Sequence, residues 1–477
     1  MINTFEIRCR ILELALSGKL SVHNNDDCDV SQMLKDVNHK KDIAVTDHVP
    51  YEIPSTWKWV KLSDLYKINP KVEADNDKEA AFIPMERISA GFSRKFSYEI
   101  QTWDKASKNH TKFADGDVAF AKISPCFENR KSFIAGQLPN GIGGGTTELI
   151  ILRQKVMNPL FTYCVVNDKR FIKNGSSSYK GIVGQQRVKS NVIKKYLVPV
   201  PPIEEQKRIV ERVDEVFRLL DKIDTLQIKY QNDVEVLKSK IIDAGIRGQL
   251  TEQLPEDGTA EELYQAIQTE KAQLIKDKKI KKEKPLPEIT ADEIPFEIPA
   301  NWKWVRLRDI VQIINGDRGK NYPAKSTLSH EGIPFISALN LNGDGITEDD
   351  RLLCLTDEQY NRLGSGKLER NDIVICIRGS IGKHGRYPYD KGAIASSLVI
   401  CRPYIYLDEI GCFIMKWLKS YLFVNEIGKY DGGSAQPNLA ADNLKKFLVP
   451  LPPLSEQKRI VAKINDVFDA LDERDRL

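Results

Sequence analysis

Residues 196–224 read YLVPVPPIEEQKRIVERVDEVFRLLDKID, and residues 447–475 repeat them as FLVPLPPLSEQKRIVAKINDVFDALDERD, with 16 of the 29 positions identical. A shorter repeated pair precedes each copy. It reads YEIPSTWKWVKLSDL at 51–65 and FEIPANWKWVRLRDI at 296–310, with nine of 15 positions identical. Internal repeats of this kind indicate structural units that are built on one plan.

The repeat is also circular. Segments 66–195 and 311–446 lie between the repeated motifs and have similar lengths but hardly related sequences. The N-terminal RILELALSGKL at 10–20 resembles KIIDAGIRGQL at 240–250, so the C-terminal repeat followed by the N-terminus would rebuild the central region. We therefore expect the two chain ends to lie close together and the molecule to have an approximate two-fold axis. We call the repeated helical segments the frame.

The central part of the frame is predicted to be one long helix over 204–244. Its apolar residues recur about every 3.5 positions, the spacing of a coiled-coil seam. The seam positions are Phe217, Leu220, Ile223, Leu226, Tyr230, Val234, Leu237 and Ile241. Matching positions near the two chain ends are Ile464, Phe468, Leu471, Ile7, Ile11 and Leu14. We expect one unbroken and one split helix to pair antiparallel, with the unbroken one roughly 60 Å long.

The two variable segments alternate apolar runs with helical patterns. GDVAFAKI at 116–123 and NDIVICIRGS at 371–380 begin with turn residues, which predicts buried strands. LDEIGCFIMKWLKS at 407–420 has a helical pattern. The sequence thus predicts an α+β fold in which long antiparallel coiled-coil helices separate two globular mixed α/β domains. The predicted boundaries are 1–50 for an N-terminal helical region, 51–202 for the first variable domain, 203–295 for a central helical region, 296–453 for the second variable domain and 454–477 for a C-terminal helix.

Composition limits the classes of protein that fit. The chain is 41% apolar and 29% charged with a net charge of +4, which suits a soluble protein and permits nucleic-acid binding if the charge is focused on one face. No apolar run approaches the roughly 20 residues that cross a bilayer. The eight cysteines form no CxxC pair. We therefore expect free thiols, no structural zinc and a cytoplasmic location.

Catalytic motifs are missing. The closest match to the loop with which amino-methyltransferases hold a flipped base is Asn158-Pro159-Leu160-Phe161, which lacks the second proline and is expected to begin a helix. The sequence Gly379 to Lys383 is too short for a phosphate-binding Walker loop. The six histidines form no metal-binding spacing. The sequence predicts neither a catalytic site nor a metal site.

The repeated motifs resemble those of one known family. The pattern P-x-P-P-[hydrophobic]-x-E-Q-K-R-I-V occurs at 199–210 and at 450–461. IPxxWxWVxL occurs at 53–62 and 298–307, and ILELALSGKL lies at 11–20. This arrangement resembles the specificity (S) subunits of type I restriction–modification systems over nearly the whole chain.

The resemblance implies a non-catalytic protein that binds double-stranded DNA. Each variable domain would be a target-recognition domain that reads one half of a bipartite, asymmetric site. The frame would set the gap between the half-sites and dock two methyltransferase subunits, which restriction (translocase and nuclease) subunits join. S-adenosylmethionine, ATP and Mg²⁺ would belong to those partners, with no cofactor in this chain.

Candidate DNA contacts are basic and amide residues on loops that can reach the major groove. Two glycine-rich loops of the second variable domain nominate Arg318, Lys320, Arg378, Lys383 and Arg386. Their counterparts in the first are Lys67, Asn69, Lys71, Lys122, Arg130 and Lys131. SYKGIVGQQRV at 178–188 aligns with KYDGGSAQPNL at 429–439, which adds Gln185, Arg187, Gln436 and Asn438. Either glutamine could read adenine or brace a turn, and ordinary surface loops are the alternative for the others.

Other residues are identical in both halves. Those on the frame helices suit a partner surface that is used twice, or else a solvated helix face; they are Gln206, Lys207, Arg208, Gln457, Lys458 and Arg459. A residue shared by both halves cannot explain a difference in DNA specificity. The repeated tryptophans are therefore predicted to anchor the core or the frame; they are Trp57, Trp59, Trp302 and Trp304.

Two other functions remain open at this point. The chain could be a self-sufficient DNA methyltransferase or nuclease, which would modify DNA with no added subunit. It could also be a stand-alone DNA-binding regulator, which would not co-purify with a methyltransferase.

Overall fold

The computed structural model describes residues 1–24, 26–35, 49–180, 185–430 and 438–476, and of 474–476 the backbone alone. The chain divides into two compact units, Ile2–Ile228 and Lys229–Leu477, with Met1 grouped with the second. Among the described residues we find no helix with both the length and the apolar character needed to span a membrane. All eight cysteines are free thiols.

The first unit mixes helices and short strands. Its elements are α1 (Thr4–Leu16), α2 (Val30–Lys35), β1 (Lys58–Lys61), α3 (Leu62–Leu65), β2 (Tyr66–Ile68), β3 (Glu79–Ile83), β4 (Glu99–Thr102), α4 (Trp103–Ser107), β5 (Thr111–Ala114), β6 (Val118–Ala121), β7 (Ser132–Ile134), β8 (Ile142–Gly145), β9 (Leu149–Gln154), α5 (Pro159–Asn167), α6 (Lys169–Ser176), α7 (Ser190–Lys195), β10 (Leu197–Val200) and the first part of α8 (Ile203–Ile246).

The strands of the first unit form three sheets. One is an antiparallel sheet in the order β2-β9-β6-β7, and a second has the order β4-β3-β8-β5 with β3 and β8 parallel. The third is the antiparallel pair β1-β10, in which Trp59 lies opposite Pro199. Strand β6 (VAFA) is buried at every position, as its apolar sequence predicts. Asn158 caps α5 by accepting a hydrogen bond from Leu160 N, which confirms that this segment begins a helix.

The second unit has a matching series of elements. After α8 come α9 (Ala260–Lys276), β11 (Lys303–Arg306), α10 (Leu307–Ile310), β12 (Val311–Asn315), β13 (Ile333–Ile336), β14 (Leu353–Leu355), α11 (Asp357–Arg362), β15 (Lys367–Leu368), β16 (Ile373–Cys376), β17 (His384–Arg386), β18 (Gly392–Ile394), β19 (Leu398–Pro403), α12 (Asp408–Trp417), α13 (Tyr421–Gly428), α14 (Ala441–Leu444), β20 (Leu448–Leu451) and α15 (Leu454–Arg476).

The second unit repeats the sheet topology of the first. Its sheets have the orders β12-β19-β16-β17, β14-β13-β18-β15 and β11-β20, and β13 and β18 are again the parallel pair. Each order becomes that of the first unit when ten is subtracted from every strand number. The prediction of two mixed α/β domains on one plan is therefore confirmed, although their sequences are hardly related.

Each unit also pairs a buried aspartate with a partly buried arginine at the same point of its larger antiparallel sheet. Asp117 accepts two hydrogen bonds from Arg153, both of 2.7 Å. Asp372 accepts two from Arg402, of 2.8 and 2.7 Å. Each pair lies where one central strand of the sheet begins (β6 or β16) and the other central strand ends (β9 or β19). We call this end of each sheet the paired end.

Helix α8 is continuous over 44 residues, which confirms the prediction of an unbroken helix across 204–244. Helix α1 packs antiparallel to the first part of α8, because Arg8 pairs with Asp221 at 2.6 Å while Thr4 bonds Asp224. Within the second unit α15 packs antiparallel to the last part of α8. There Asp472 accepts a 2.6 Å hydrogen bond from Lys238. The closeness of the two chain ends stays a prediction.

The seam of α8 differs from the prediction in its middle. Phe217 and Val234 are buried, whereas Leu226, Tyr230 and Leu237 are exposed. Helix α1 begins beside Gln227, and the last described side chain of α15 to bond α8 faces Lys238. Of the seam positions between these two contacts, Val234 is buried whereas Tyr230 and Leu237 are exposed, so the seam is only partly packed there.

Candidate nucleic-acid interface

Several loops of the first variable domain meet at one end of the sheet β2-β9-β6-β7. The register pairs Ala121, which ends β6, with Leu149, which begins β9. At the same end an isolated bridge joins Ile123 to Arg187. We call this surface the first loop edge and define it as residues 69–71, 122–123, 147–148 and 185–187.

An arginine–carboxylate pair dominates the first loop edge. Arg187 Nε lies 2.9 and 3.1 Å from the two carboxylate oxygens of Glu148, and its Nη2 donates to Oε1 at 2.8 Å. Those hydrogen bonds are the main reason that the pKa of Glu148 is below its usual value. Lys122 donates to Thr147 O at 2.7 Å, and Gln185 is exposed. The structure therefore brings Lys122, Gln185 and Arg187 together.

The predicted residues around β2 have mixed environments. Asn69 has a left-handed backbone (φ 49°), and its side-chain oxygen accepts a 2.9 Å hydrogen bond from Ile151 N. This contact braces the end of β2 and occupies the carbonyl group that base reading would use. Lys71 is exposed on the loop edge. Lys67 is exposed but lies within β2 opposite Arg153, toward the paired end of the sheet.

Arg130 and Lys131 are not on the loop edge surface as the sequence suggested. Arg130 is 8% exposed, donates to Asn167 O at 3.0 Å and stacks 4.9 Å from the ring centre of Phe5. This position holds α1 against the domain, so the structure gives Arg130 a packing role in place of a DNA contact. Lys131 is half-buried and donates to Met85 O at 2.9 Å.

The second variable domain has an equivalent loop edge. Cys376, which ends β16, lies opposite Leu398, and an isolated bridge joins Arg378 to Asn438. Arg378 Nε donates to Asn438 Oδ1 at 3.1 Å, and Arg318 donates to Ser396 O at 3.2 Å. We define the second loop edge as residues 316–320, 377–383, 396–397 and 438. Its exposed predicted residues are Arg318, Lys320, Arg378, Lys383 and Asn438.

Arg386 departs from its prediction. It lies at the far end of β17, opposite Ile373, because the hairpin β16–β17 carries the chain away from the loop edge. There it donates to Asp408 at 2.6 Å and is the main cause of the lowered pKa of that carboxyl group. Arg386 is therefore separated from the other candidates by the length of the strand. Gln436 lies outside the described residues.

Two of the six frame residues that are identical in both copies are buried. Gln206 is fully buried, accepts a 2.8 Å hydrogen bond from Asn158 N and donates to Pro201 O at 3.0 Å. Gln457 is also fully buried and donates to Pro452 O at 2.9 Å. Neither glutamine can form a partner surface, so that interpretation is wrong for both.

The repeated basic residues beside them divide into two kinds. Arg208 forms two hydrogen bonds with Asp27, of 2.9 and 2.5 Å, and Arg459 forms two with Asp257, of 2.5 and 2.7 Å. These arginines tie each frame helix to the turn beside it. Lys207 and Lys458 are exposed, so a partner surface remains a prediction for these two lysines.

Two buried glutamates that the sequence analysis did not single out connect each variable domain to the frame. Glu205 accepts a 2.8 Å hydrogen bond from the indole of Trp57 and another of 2.8 Å from Ser21. Glu456 accepts a 2.8 Å bond from Trp302 and a 3.0 Å bond from Thr251. We call these two clusters the frame joints.

The frame joints explain why the tryptophan of one motif and the glutamate of the other recur together in both halves of the chain. The indole N–H of each tryptophan donates to the glutamate of the EQKR motif. Replacing either the tryptophan or the glutamate would therefore leave the other without its hydrogen-bond partner. The recurrence of W and E in both copies was the signal from which this pairing could have been inferred. The prediction that the tryptophans anchor the frame is confirmed for Trp57 and Trp302.

The exposed basic and amide side chains of the loop edges supply hydrogen-bond donors and positive charge, part of which Glu148 offsets at Arg187. Such groups bind acceptor atoms of bases and phosphates. Among the described residues no group of three or more His, Cys, Asp or Glu side chains could hold a metal ion.

Comparison with known proteins also points to DNA recognition. A family model described as the type I restriction modification DNA specificity domain matches residues 54–231 and 299–476. The chain is 32% identical to the EcoAI specificity subunit of Escherichia coli over 97% of its own length and 88% of that protein. It is 30% identical to the EcoEI specificity subunit of the same species, over 98% and 89%.

Solved structures share the fold. A chain from a study of complex assembly and conformational transition in the type I R-M system has a TM-score of 0.62 and 22% identity, with 90% of this chain and 94% of that chain covered. The HsdS subunit from Thermoanaerobacter tengcongensis has a TM-score of 0.51 and 20% identity at the same coverage. With both halves matched by the family model, the chain belongs to the family of type I restriction–modification DNA specificity subunits.

Proposed function

We propose that the two loop edges read the two halves of a bipartite, asymmetric DNA site, one half-site for each variable domain. As a member of its family the chain is a DNA-recognition subunit, and catalysis belongs to partner subunits. The observation that carries the proposal is the pair of loop edges. They occupy equivalent ends of two equivalent sheets, one in each domain, but present different side chains.

Different side chains on one scaffold are what two dissimilar half-sites require. Bases are distinguished in the major groove by the pattern of donors and acceptors that each pair exposes. The bridge that carries Ile123 and Arg187 in the first domain carries Arg378 and Asn438 in the second. The two domains therefore offer different donors at an equivalent point, and the site they recognise is expected to be non-palindromic.

The continuous helix α8 suits the role of a spacer. Its 44 residues correspond to a length of about 66 Å at 1.5 Å per residue. Half-sites about one helical turn of DNA apart, or roughly 34 Å, present the same groove face to two readers. Inserting a few residues within 226–234 is expected to lengthen the preferred gap between the half-sites without changing either of them.

The partner subunits complete this assignment. Two methyltransferase subunits would dock on the repeated frame, where Lys207 and Lys458 are exposed at equivalent positions, and restriction subunits would join that core. S-adenosylmethionine, ATP and Mg²⁺ would be bound by those partners, with none bound by this chain. The complex would act on DNA in the cytoplasm.

The test is to express the chain together with its methyltransferase subunit and to map every methylated base in the host genome. We expect a two-part motif with a fixed gap and two different halves. A contiguous or palindromic motif would contradict the proposal. Methylation by the purified chain alone would favour the self-sufficient enzyme, and failure to co-purify with a methyltransferase would favour the regulator.

A further inference from the structure

Each loop edge holds one arginine at the same backbone bridge. In the first domain the bridge joins Ile123 to Arg187, and in the second it joins Arg378 to Asn438. The arginine is thus on the second strand of the bridge in one domain and on the first strand in the other. Both arginines are exposed, which leaves them accessible to a ligand.

The contacts of Arg187 determine which of its donors are available. A guanidinium has five N–H donors in a planar fork. Glu148 takes the Nε edge through Nε and Nη2, and Gln185 O accepts from Nη1 at 3.1 Å. Among the described residues, one N–H on each terminal nitrogen then remains without an acceptor. Nη1 and Nη2 form the outer end of the planar fork, which faces away from the Nε edge that Glu148 occupies.

Arg378 keeps the same outer end available by a different contact. Its Nε donates to Asn438 Oδ1 at 3.1 Å. Among the described residues no acceptor bonds its terminal nitrogens. A neutral amide thus holds the inner edge of this guanidinium, where a carboxylate holds that of Arg187.

The geometry points to Arg187 and Arg378 as specificity-determining residues that each read a guanine, one in each half-site. Glu148 and Asn438 are their positioning residues. The inference rests on the proposed function and names the base that the two edges share. Guanine presents O6 and N7 as adjacent acceptors in the major groove, and they match two parallel N–H donors.

The negative charge of Glu148 supports base reading over phosphate binding by Arg187. A carboxylate that bonds the guanidinium cancels much of its attraction for the DNA backbone. It also fixes the direction of the outer N–H pair, and a directed pair gives selectivity among bases. Arg318, which bonds only Ser396 O among the described residues, lacks such a side-chain anchor.

The experiment uses the complex with its methyltransferase subunits and compares wild type with Arg187→Lys and Arg378→Lys. Lysine keeps the charge but lacks the fork. Selection of bound DNA from a randomised library gives the base preference at each position. We expect each variant to lose about tenfold or more of its guanine preference at one position of one half-site. The other half-site should be unchanged.

Two further variants and two controls sharpen the test. Glu148→Gln should relax the same position as Arg187→Lys, and Asn438→Ala the same position as Arg378→Lys. Arg386→Lys is the matched control in the second domain, because its Asp408 pair lies at the other end of the sheet. Arg212→Lys serves in the first unit, where an exposed pair with Glu215 lies on the frame. Neither control should change the motif.

An equal loss of binding to every sequence would overturn the inference and make the arginines phosphate contacts. An unchanged motif, or a change at a position that does not hold guanine, would also overturn it. A wild-type complex that selects no two-part site would instead contradict the proposed function. Thermal unfolding of each variant, compared with wild type, would check that the substitution leaves the fold intact.

Discussion

The two ends of the larger antiparallel sheet in each variable domain follow different rules. At the paired end both domains place the same two residue types in the same contact, Asp117 with Arg153 and Asp372 with Arg402. At the loop edge the backbone bridge is preserved while the side chains differ, with Arg187 in one domain and Asn438 in the other. One end keeps the sheet together, and the other is free to vary in what it binds.

The buried pair at the paired end should carry the largest effect on stability. Asp372→Ala would leave the mostly buried Arg402 with the exposed Glu369 as its one remaining carboxylate partner among the described residues. Removal of one partner of a buried pair costs about 3 kcal/mol. The matched control is Asp390→Ala, because Asp390 also pairs with an arginine, Arg370, but is fully exposed. Thermal unfolding of both variants provides the measurement. Similar unfolding temperatures would show that the buried position of the Asp372 pair adds nothing to its contribution to stability.

A frame joint should show an intermediate effect. Trp302→Phe removes the indole donor that bonds Glu456 and leaves a buried carboxylate oxygen unpaired, at a cost of about 1 to 2 kcal/mol beyond the lost ring volume. Trp304→Phe is the control, since Nε1 of Trp304 is buried with no hydrogen-bond partner among the described residues. Chemical denaturation compares the two. Equal losses would mean that the hydrogen bond to Glu456 contributes nothing.

The aspartates that hold the frame arginines should give a smaller, pH-dependent effect. The hydrogen bond from Arg459 is the main cause that lowers the pKa of Asp257 in the folded protein. A lowered folded-state pKa gives stability that is present above the unfolded value, about 3.9, and is lost as the pH falls through the folded one.

The variant Asp257→Asn tests this dependence. The difference in unfolding temperature between wild type and variant should be largest near pH 6 and shrink toward pH 3, as scanning calorimetry would record. A difference that stays constant over this range would contradict the role of the charged carboxylate.

The smallest effect is expected from a lysine on the loop edge. Lys383→Ala should weaken binding of the complex to all DNA sequences by a similar, few-fold factor and reduce the slope of log K against log salt by about one. Titrations at several salt concentrations measure both. A change confined to one base pair would contradict this prediction and would give Lys383 a base-reading role like that inferred for the arginines.

The parts of the fold that could be predicted from the sequence are those encoded by a local pattern or by a repeat. The 3.5-residue spacing predicted α8, and the run GDVAFAKI predicted β6 within one or two residues. The environment of Arg130 could not be predicted in this way, because Phe5 stacks on it from 125 positions earlier in the chain. Arg386 was misplaced for a related reason. Its distance from the loop edge depends on the register of β16 and β17, which the loop sequence does not encode.

The central claim is that one frame carries two independent readers on equivalent scaffolds. The most direct measurement is methylation mapping with a chimaera in which 311–446 replaces 66–195, so that both positions hold the second reader. With two copies of the second reader, we expect an inverted repeat of the second half-site with nearly the original gap. Retention of the original asymmetric motif, or a new sequence unrelated to that half-site, would contradict it.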